Sequence, residues 1–264
     1  MKHQPIARFP WLEQENLLAR RLDGCVELSP ADMATLDRFW RGQRNLVPAN
    51  RDIAREGDFP GSIRLLLSGW ACRYKMLPDG RRQLMGFFLP GDLCDLNSFL
   101  LDRLDHSLLA LTPIRYVALS ASDLETVSHS HPNLVKAFHH DGLVHAAIQR
   151  EWIISLGKRS ALERLAHLLC EFYTRLELVG LARDGSCELP ITQTELADAI
   201  GLSPVHVNRT LRELRERDLV VVQDRRLHIP DLAGLSTVAL FDPAFLHLKH
   251  RAPGMAESNR MQLS

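Results

Sequence analysis

Residues 192–214 read TQTELADAIGLSPVHVNRTLREL. Thr192 followed three residues later by Glu195 is the pattern of a helix capping box, and Ser203 before a proline is typical of a second helix start. Gly201, between the two segments, permits the left-handed backbone of a sharp turn. Two short helices joined by a glycine turn form a helix-turn-helix, which is what this stretch predicts.

The second of these helices carries two stripes of opposite character. Its apolar stripe consists of Val207, Leu211 and Leu214. Its other stripe, at positions i, i+3, i+4 and i+7, consists of Val205, Asn208, Arg209 and Arg212. Because a helix in a small domain buries its apolar stripe, we expect the other one to face an external partner.

The segment after this helix predicts a β-wing. Short strands at Val220–Val222 and Leu227–Ile229 flank a turn at Gln223–Arg226. A helix-turn-helix followed by a wing is a winged helix, and in helix-turn-helix proteins the second helix lies in the DNA major groove. We therefore predict that residues 203–217 are a DNA recognition helix.

The side chains of this unit suit different parts of duplex DNA. Arg209 can donate two hydrogen bonds to guanine, and Asn208 can pair with adenine or support a phosphate. Val205 and His206 are candidates for contact with a thymine methyl group or a base edge. The candidates for phosphate contacts are Ser203, Thr210, Arg212, Arg225 and Arg226, and Gln193 is a further DNA-binding candidate.

The same pattern leaves a second function open: a nucleotide-sensing interaction module whose winged helix binds protein rather than DNA. Charges of both signs alternate along RTLRELRERD, and residues 158–230 hold 11 basic and 11 acidic side chains. DNA binding therefore has to depend on a local arginine cluster rather than on net charge. The capped helices, the glycine turn and the wing, in that order, favour DNA.

The bulk composition is that of a globular protein, with 264 residues, 45% of them hydrophobic, and 32 basic against 32 acidic side chains. The N-terminus has no apolar signal stretch, and no run approaches about 18 apolar residues, which predicts a cytoplasmic protein without a membrane partner. The five scattered cysteines form no C-x-x-C, so we expect no metal and no cofactor. Neither a nucleophile elbow nor a phosphate loop occurs, which argues against an enzyme.

Upstream, the period of the hydrophobic pattern changes twice. Residues 29–41 predict a short helix capped by Ser29, and residues 44–120 predict a compact unit of roughly eight short strands, with PDGR at 78–81 as a hairpin turn. Residues 161–179 predict another amphipathic helix, and residues 180–189 a Gly/Ser loop.

Residues 133–156 predict a long helix of ~24 residues, about 36 Å in length. Its amphipathic stripe consists of Leu134, Phe138, Gly142, His145, Ile148 (or Gln149), Trp152 and Leu156. A single small β unit is too short to cover this stripe. We therefore expect a second copy of the chain to cover it, which predicts a homodimer.

The stretch TQTELADAIGLSPVHVNRTLRELRERDLV, together with the PDGR…LMGFFLPGD run, resembles the Crp/Fnr family of bacterial transcription regulators. The resemblance covers roughly residues 30–230. It implies a homodimer that binds a two-fold-symmetric operator and contacts RNA polymerase. The family's base-reading positions are occupied by Val205, Asn208 and Arg209. Because many members have Glu at the position of Val205, we expect an operator that differs from the usual half-site of the family.

With this resemblance, the chain is expected to have an α+β architecture in four parts. Residues 1–131 form an N-terminal β-roll sensor domain that is cyclic-nucleotide-binding-like, and residues 132–157 form the dimerisation helix. Residues 158–246 form the winged helix-turn-helix domain, and residues 247–264 form a polar tail.

The segment that corresponds to the family's effector box departs from the cAMP-binding pattern. Asp95-Leu96 stands where those members have Gly-Glu, and His106-Ser107 stands where they have Arg-Ser. Leu96 offers no acceptor to ribose, and His106 is a poor clamp for a phosphate. These four residues are a candidate ligand box that does not take cAMP; another effector, or none, stays open. The cysteine cluster of oxygen-sensing members is absent, since only Cys25 lies near the N-terminus.

Overall fold

The computed structural model describes residues 15–248 with the exception of residue 97, so the predicted tail from 249 onward and the first fourteen residues lie outside the described residues. The chain begins with two helices, α1 (Leu17–Leu22) and α2 (Pro30–Trp40). The helix predicted at residues 29–41 is confirmed as α2, and Ser29 and Asp32 form a reciprocal capping box at its start. Sequence reasoning did not predict α1.

Eight short strands follow in the described part of residues 44–119. They are β1 (Arg44–Val47), β2 (Arg51–Ala54), β3 (Ile63–Ser68), β4 (Ala71–Met76), β5 (Arg82–Phe88), β6 (Leu93–Cys94), β7 (Ser107–Ala110) and β8 (Ile114–Leu119). One antiparallel sheet has the order β1-β8-β3-β6, and the other has the order β2-β7-β4-β5. The predicted PDGR turn joins β4 and β5, which pair from Met76 opposite Arg82.

Three helices connect this β-roll to the C-terminal unit: α3 (Ala121–Ser130), α4 (Pro132–Lys158) and α5 (Ala161–Leu178). The connection between α4 and α5 is only two residues long, because Ser160 caps α5 through a capping box with Glu163. No helix of the described residues is long and apolar enough to cross a membrane.

Most of the stripe expected to form the seam between two copies lies inside the protomer. Leu134 and Phe138 pack into a core with α1, α2 and the β1-β8-β3-β6 sheet, while Ile148 and Trp152 pack against β5 and α5. For these four buried members the expectation that a second copy covers the stripe is wrong, because the chain's own helices and sheets cover them; Leu156, at the end of the stripe, is 39% exposed. The periodicity identified an apolar face but carried no information about which surface meets it.

The C-terminal unit contains four strands, three α-helices and one 3₁₀ turn within the described residues. They are β9 (Ala182–Arg183), β10 (Ser186–Glu188), α6 (Gln193–Ile200), α7 (Pro204–Glu216), β11 (Val221–Gln223), β12 (Arg226–His228), α8 (Leu232–Ala239) and a 3₁₀ turn (Pro243–Leu246). The predicted wing strands are confirmed within one residue. Residues 180–189, however, are not a simple loop: they form the β9–β10 hairpin, and β10 pairs with wing strand β12.

One hydrophobic core crosses from the β-roll to the C-terminal unit. The ring of Phe172 on α5 lies 4.9 Å from Phe87 of β5 and 5.0 Å from Trp70, centroid to centroid, in edge-to-face contacts. The roll also contacts the helix-turn-helix directly: Arg82 of β5 donates a hydrogen bond from Nε to Asp198 of α6 at 2.8 Å. The helix-turn-helix is therefore held directly against the roll.

Candidate nucleic-acid interface

The turn between α6 and α7 has the geometry that its sequence predicts. Thr192 and Glu195 form both bonds of a capping box at the start of α6, and Gly201 ends that helix with a left-handed φ of 66°. The side chain of Ser203 then accepts a hydrogen bond from the backbone N–H of His206, and a proline occupies the first turn of α7. These local signals fix the direction in which α7 leaves the turn.

The two stripes of α7 lie as the spacing predicts. Val207 and Leu214 are completely buried in the core shared with α5 and α6, and Leu211 is buried beside them. The opposite stripe is exposed along its whole length and consists of Val205, Asn208, Arg209 and Arg212. Val205 is 81% exposed although it is apolar, so the fold itself does not use this side chain.

Thr210 is a correction to the expected set of phosphate contacts. Its side chain is buried, and its hydroxyl donates to the backbone carbonyl of His206 at 2.9 Å. A threonine in the middle of a helix commonly bonds one turn back in this way. Thr210 is therefore part of the packing of α7, and it is not available to a phosphate.

The wing presents two arginines at the tip of its hairpin. Asp224 and Arg225 form the two-residue connection between β11 and β12, and both have positive φ, at 50° and 59°. The carbonyl of Arg225 accepts a hydrogen bond from the N–H of Leu189, which anchors the turn, while the side chains of Arg225 and Arg226 are exposed.

The arginines of the recognition helix and the wing carry charge that the protein does not neutralise. In the part of the chain that the structure describes, Arg209, Arg212, Arg225 and Arg226 form no ion pair. Arg217, in contrast, pairs with Glu213 near the C-terminal end of α7. Four exposed guanidinium groups without an internal carboxylate partner are thus present among the described residues, although the chain has no net charge. Three further residues are predicted to bind DNA. Gln193 and Ser203 are exposed, and His206 is half-buried.

The candidate ligand box in the roll is occupied by the protein's own charges. His106 lies between two carboxylates, with Nε2 at 2.8 Å from Asp95 and Nδ1 at 2.6 Å from Asp105. Arg73 of β4 donates to Asp95 through Nε at 2.9 Å and through a second nitrogen. Sequence reasoning missed Arg73, because it lies 22 residues before Asp95 and only the packing of the roll's two sheets brings the two together.

The pKa values of this cluster agree with a set of paired charges. Burial alone would raise the pKa of Asp95, but the hydrogen bonds and charges of His106 and Arg73 outweigh it, so the pKa is lowered. Burial alone would lower the pKa of His106, but the two carboxylates leave it raised. The other two residues of the box do not face a shared space: Leu96 packs into the core, and the Ser107 hydroxyl accepts from the N–H of Glu56.

Comparisons with known proteins agree with both halves of the fold. Residues 44–131 match the family profile described as a cyclic nucleotide-binding domain, and residues 163–238 match that of a Crp-like helix-turn-helix domain. The transcriptional activatory protein AadR of Rhodopseudomonas palustris is 30% identical over 207 residues, which cover 78% of this chain and 84% of AadR. The chain belongs to the Crp/Fnr family of transcription regulators. It is a regulator with a helix-turn-helix DNA-binding domain, and the family is not one of enzymes.

Other Crp/Fnr proteins are similar over most of their length. The nitrogen fixation regulation protein FixK of Bradyrhizobium diazoefficiens is 27% identical over 215 residues, covering 81% of this chain and 89% of FixK. The solved structure of FixK2 from Bradyrhizobium japonicum superposes with a TM-score of 0.66 at 22% identity, covering 74% of this chain and 96% of that one. At that identity the superposition shows the fold, and it confirms the α+β architecture expected for this regulator.

Proposed function

We propose that this Crp/Fnr regulator binds a two-fold-symmetric DNA operator as a homodimer, with residues 203–217 of each protomer in the major groove. The observation that supports this most strongly is the outward stripe of α7, which is exposed on a helix whose opposite side is fully buried. A helix placed in this way can enter a groove without any change in the core of its own domain.

Within this proposal the exposed residues divide into two groups. The bases are contacted by Arg209, Asn208, Val205 and the half-buried His206. The phosphates are contacted by Ser203, Arg212, Arg225 and Arg226, and Gln193 is a further DNA-binding residue at the start of α6. Val205 supplies an apolar contact to a thymine methyl group and cannot accept from cytosine. The operator therefore differs from that of relatives that have Glu at this position.

A second stripe of α4 is the surface that we propose for the dimer. It contains Leu143, which is 64% exposed, and Ile153, ten residues later, which is 70% exposed. Leu134 and Trp152 of the same helix are buried. Large apolar side chains this exposed on a long helix indicate a partner surface. A two-fold partner along α4 would place two recognition helices side by side, and an operator requires them about 34 Å apart.

For the roll, we propose that cAMP is not the effector. A cyclic phosphate in the box would meet the carboxylate of Asp95, and the cations that could bind it, Arg73 and His106, are already paired with that carboxylate. Another effector, or none, is compatible with this arrangement. If cAMP raised the melting temperature of the protein, this part of the proposal would be refuted.

The central experiment is selection of bound sites from a random duplex DNA pool. We expect a two-fold-symmetric consensus with half-sites about one helical turn apart. Recovery of no consensus would favour the alternative, an interaction module whose winged helix binds protein. We further propose that the bound dimer contacts RNA polymerase in the cytoplasm, which transcription in vitro from a template carrying the selected site would test.

The dimer itself is tested by adding charge to the exposed stripe. The double substitution Leu143→Lys and Ile153→Asp should give a monomer in sedimentation analysis and abolish binding to the symmetric site. Leu46→Lys is the matched control, because Leu46 is 72% exposed on β1, away from α4. A dimer that survives the double substitution would place the interface elsewhere.

A further inference from the structure

The first residue of α6 and a central residue of the recognition helix are joined by their side chains. The amide Nδ2 of Asn208 donates a hydrogen bond to Oε1 of Gln193 at 3.2 Å. The two residues are 15 positions apart, and both are exposed. No other hydrogen bond holds the side chain of Asn208 among the described residues.

The amide group of Asn208 has two N–H donors and one carbonyl acceptor. One of these N–H groups lies on the same side of the amide as Oδ1, and the other points away from it. When the bond to Gln193 is made by the N–H that points away, the second N–H and Oδ1 stay together on the free edge of the amide. Adenine presents N7 as an acceptor and the N6 amino group as a donor on its major-groove edge. The free edge of Asn208 therefore matches adenine with two hydrogen bonds while the third stays with Gln193.

We infer that Gln193 is a positioning residue that holds the amide plane of Asn208 for recognition of adenine. This inference depends on the proposed function, since it requires α7 to lie in a major groove. Without Gln193 the exposed amide rotates freely, and binding then has to order it at an entropic cost. With Gln193 the amide is oriented before DNA arrives, and the bond becomes stronger when the groove excludes water.

This role differs from the contact with a phosphate that Gln193 could make by itself. A residue that contacts only phosphate changes affinity for all sequences alike, whereas a residue that orients a base-reading side chain changes the preference at one base pair. The decisive readout is therefore the ratio of dissociation constants for operators that differ at that pair.

The experiment uses the full chain and the selected symmetric operator. Asn208→Ala first identifies the base pair whose preference depends on Asn208. Affinity for the four bases at that pair is then measured for the wild type, Gln193→Met and Gln193→Glu. Met has a similar size but no acceptor, while Glu keeps an acceptor for the Asn208 N–H. Thr194→Ala, at the neighbouring exposed position of α6, is the matched control.

In the wild type and the control we expect adenine to be preferred by about tenfold. Gln193→Met should reduce this preference severalfold. Gln193→Glu should retain it, even though its added negative charge weakens binding to every sequence. The inference is overturned if Gln193→Met keeps the full preference, or if the pair that depends on Asn208 selects a base other than adenine. In either case a symmetric consensus would still support the proposed function, whereas the absence of any consensus would defeat both.

Discussion

Two pairs of arginines in this regulator have opposite environments. Arg21 of α1 and Arg175 of α5 are almost fully buried and are bound to carboxylates, whereas Arg209 and Arg212 of α7 are exposed and form no ion pair among the described residues. A guanidinium that is held by internal carboxylates is not available to an external ligand, and removal of one partner leaves the other charge buried and unpaired. A guanidinium without an internal partner costs the fold little and is available to an external anion.

The buried pair of arginines meets at one carboxylate. Asp92, in the turn between β5 and β6, lies 2.7 Å from Arg21 Nη1 and 2.7 Å from Arg175 Nη2. Arg21 also reaches Asp141 of α4, and Arg175 reaches Glu171. Burial raises the pKa of Glu171, even though the charge of Arg175 and the hydrogen bonds from Trp152 and Arg175 act to lower it. Asp92 thus joins the roll, α1 and α5 at one point.

The largest effect is expected from removing this shared carboxylate. Asp92→Ala leaves two buried guanidinium groups each without one of its partners, and it should lower the free energy of unfolding by about 3–5 kcal/mol. Urea denaturation monitored by circular dichroism measures the change. Glu56→Gln is the control, because the ion pair of Glu56 with Lys75 is about half exposed and contributes little. A similar loss in both variants would erase the distinction between buried and exposed pairs.

The converse experiment removes an arginine that the fold does not use. Arg209→Ala should leave the unfolding free energy within about 0.5 kcal/mol of the wild type, since the side chain is exposed. On the selected operator it should cost about 1–3 kcal/mol of binding free energy and relax the preference at one base pair. Fluorescence anisotropy with operator variants measures both. Equal losses on all DNA sequences would mean that Arg209 contacts only phosphate.

The roll contains a third kind of charged group, His106, whose pairing with Asp95 and Asp105 depends on pH. Asp95 and Asp105 raise the pKa of His106 above its ordinary 6.5, against the effects of burial and of Arg73. The stability that comes from this charge is therefore complete below the ordinary pKa and is lost as the pH rises through the raised one. His106→Ala should cost on the order of 1–2 kcal/mol more at pH ~6 than at pH ~9. Denaturation at the two pH values tests this; a cost independent of pH would mean that His106 acts by packing alone.

The elements that could be predicted from the sequence are those with local signals. The capping boxes, Gly201 and the spacing of Val207 and Leu214 specify α6, the turn and α7 without reference to the rest of the chain. The β9–β10 hairpin could not be predicted in this way. Its strands are two and three residues long, and they exist because Cys187 pairs opposite Leu227 of the wing.

The candidate sites also contain residues that local spacing identifies and residues that only the fold brings together. The exposed stripe of α7 follows from helical period alone, so its members could be identified from spacing. The partners of His106 and Asp92 could not, because Arg73, Arg21 and Arg175 reach them across the fold. The same limit applies to the amphipathic stripe of α4: its spacing predicts a second copy as its partner, but the protomer's own core covers most of it.

The smallest expected effect belongs to the wing, and it separates two kinds of exposed arginine. Arg225→Ala removes one positive charge from the tip of the hairpin, which we propose contacts phosphate and not bases. Affinity should fall alike for the operator and for unrelated DNA, and the slope of log affinity against log salt should decrease by about one. Arg209→Ala should change the ratio of the affinities for operator and unrelated DNA. Arg225→Ala should lower both affinities by the same factor and leave that ratio unchanged. A salt series on both duplexes measures this; a change in that ratio for Arg225→Ala would mean that the wing also reads sequence.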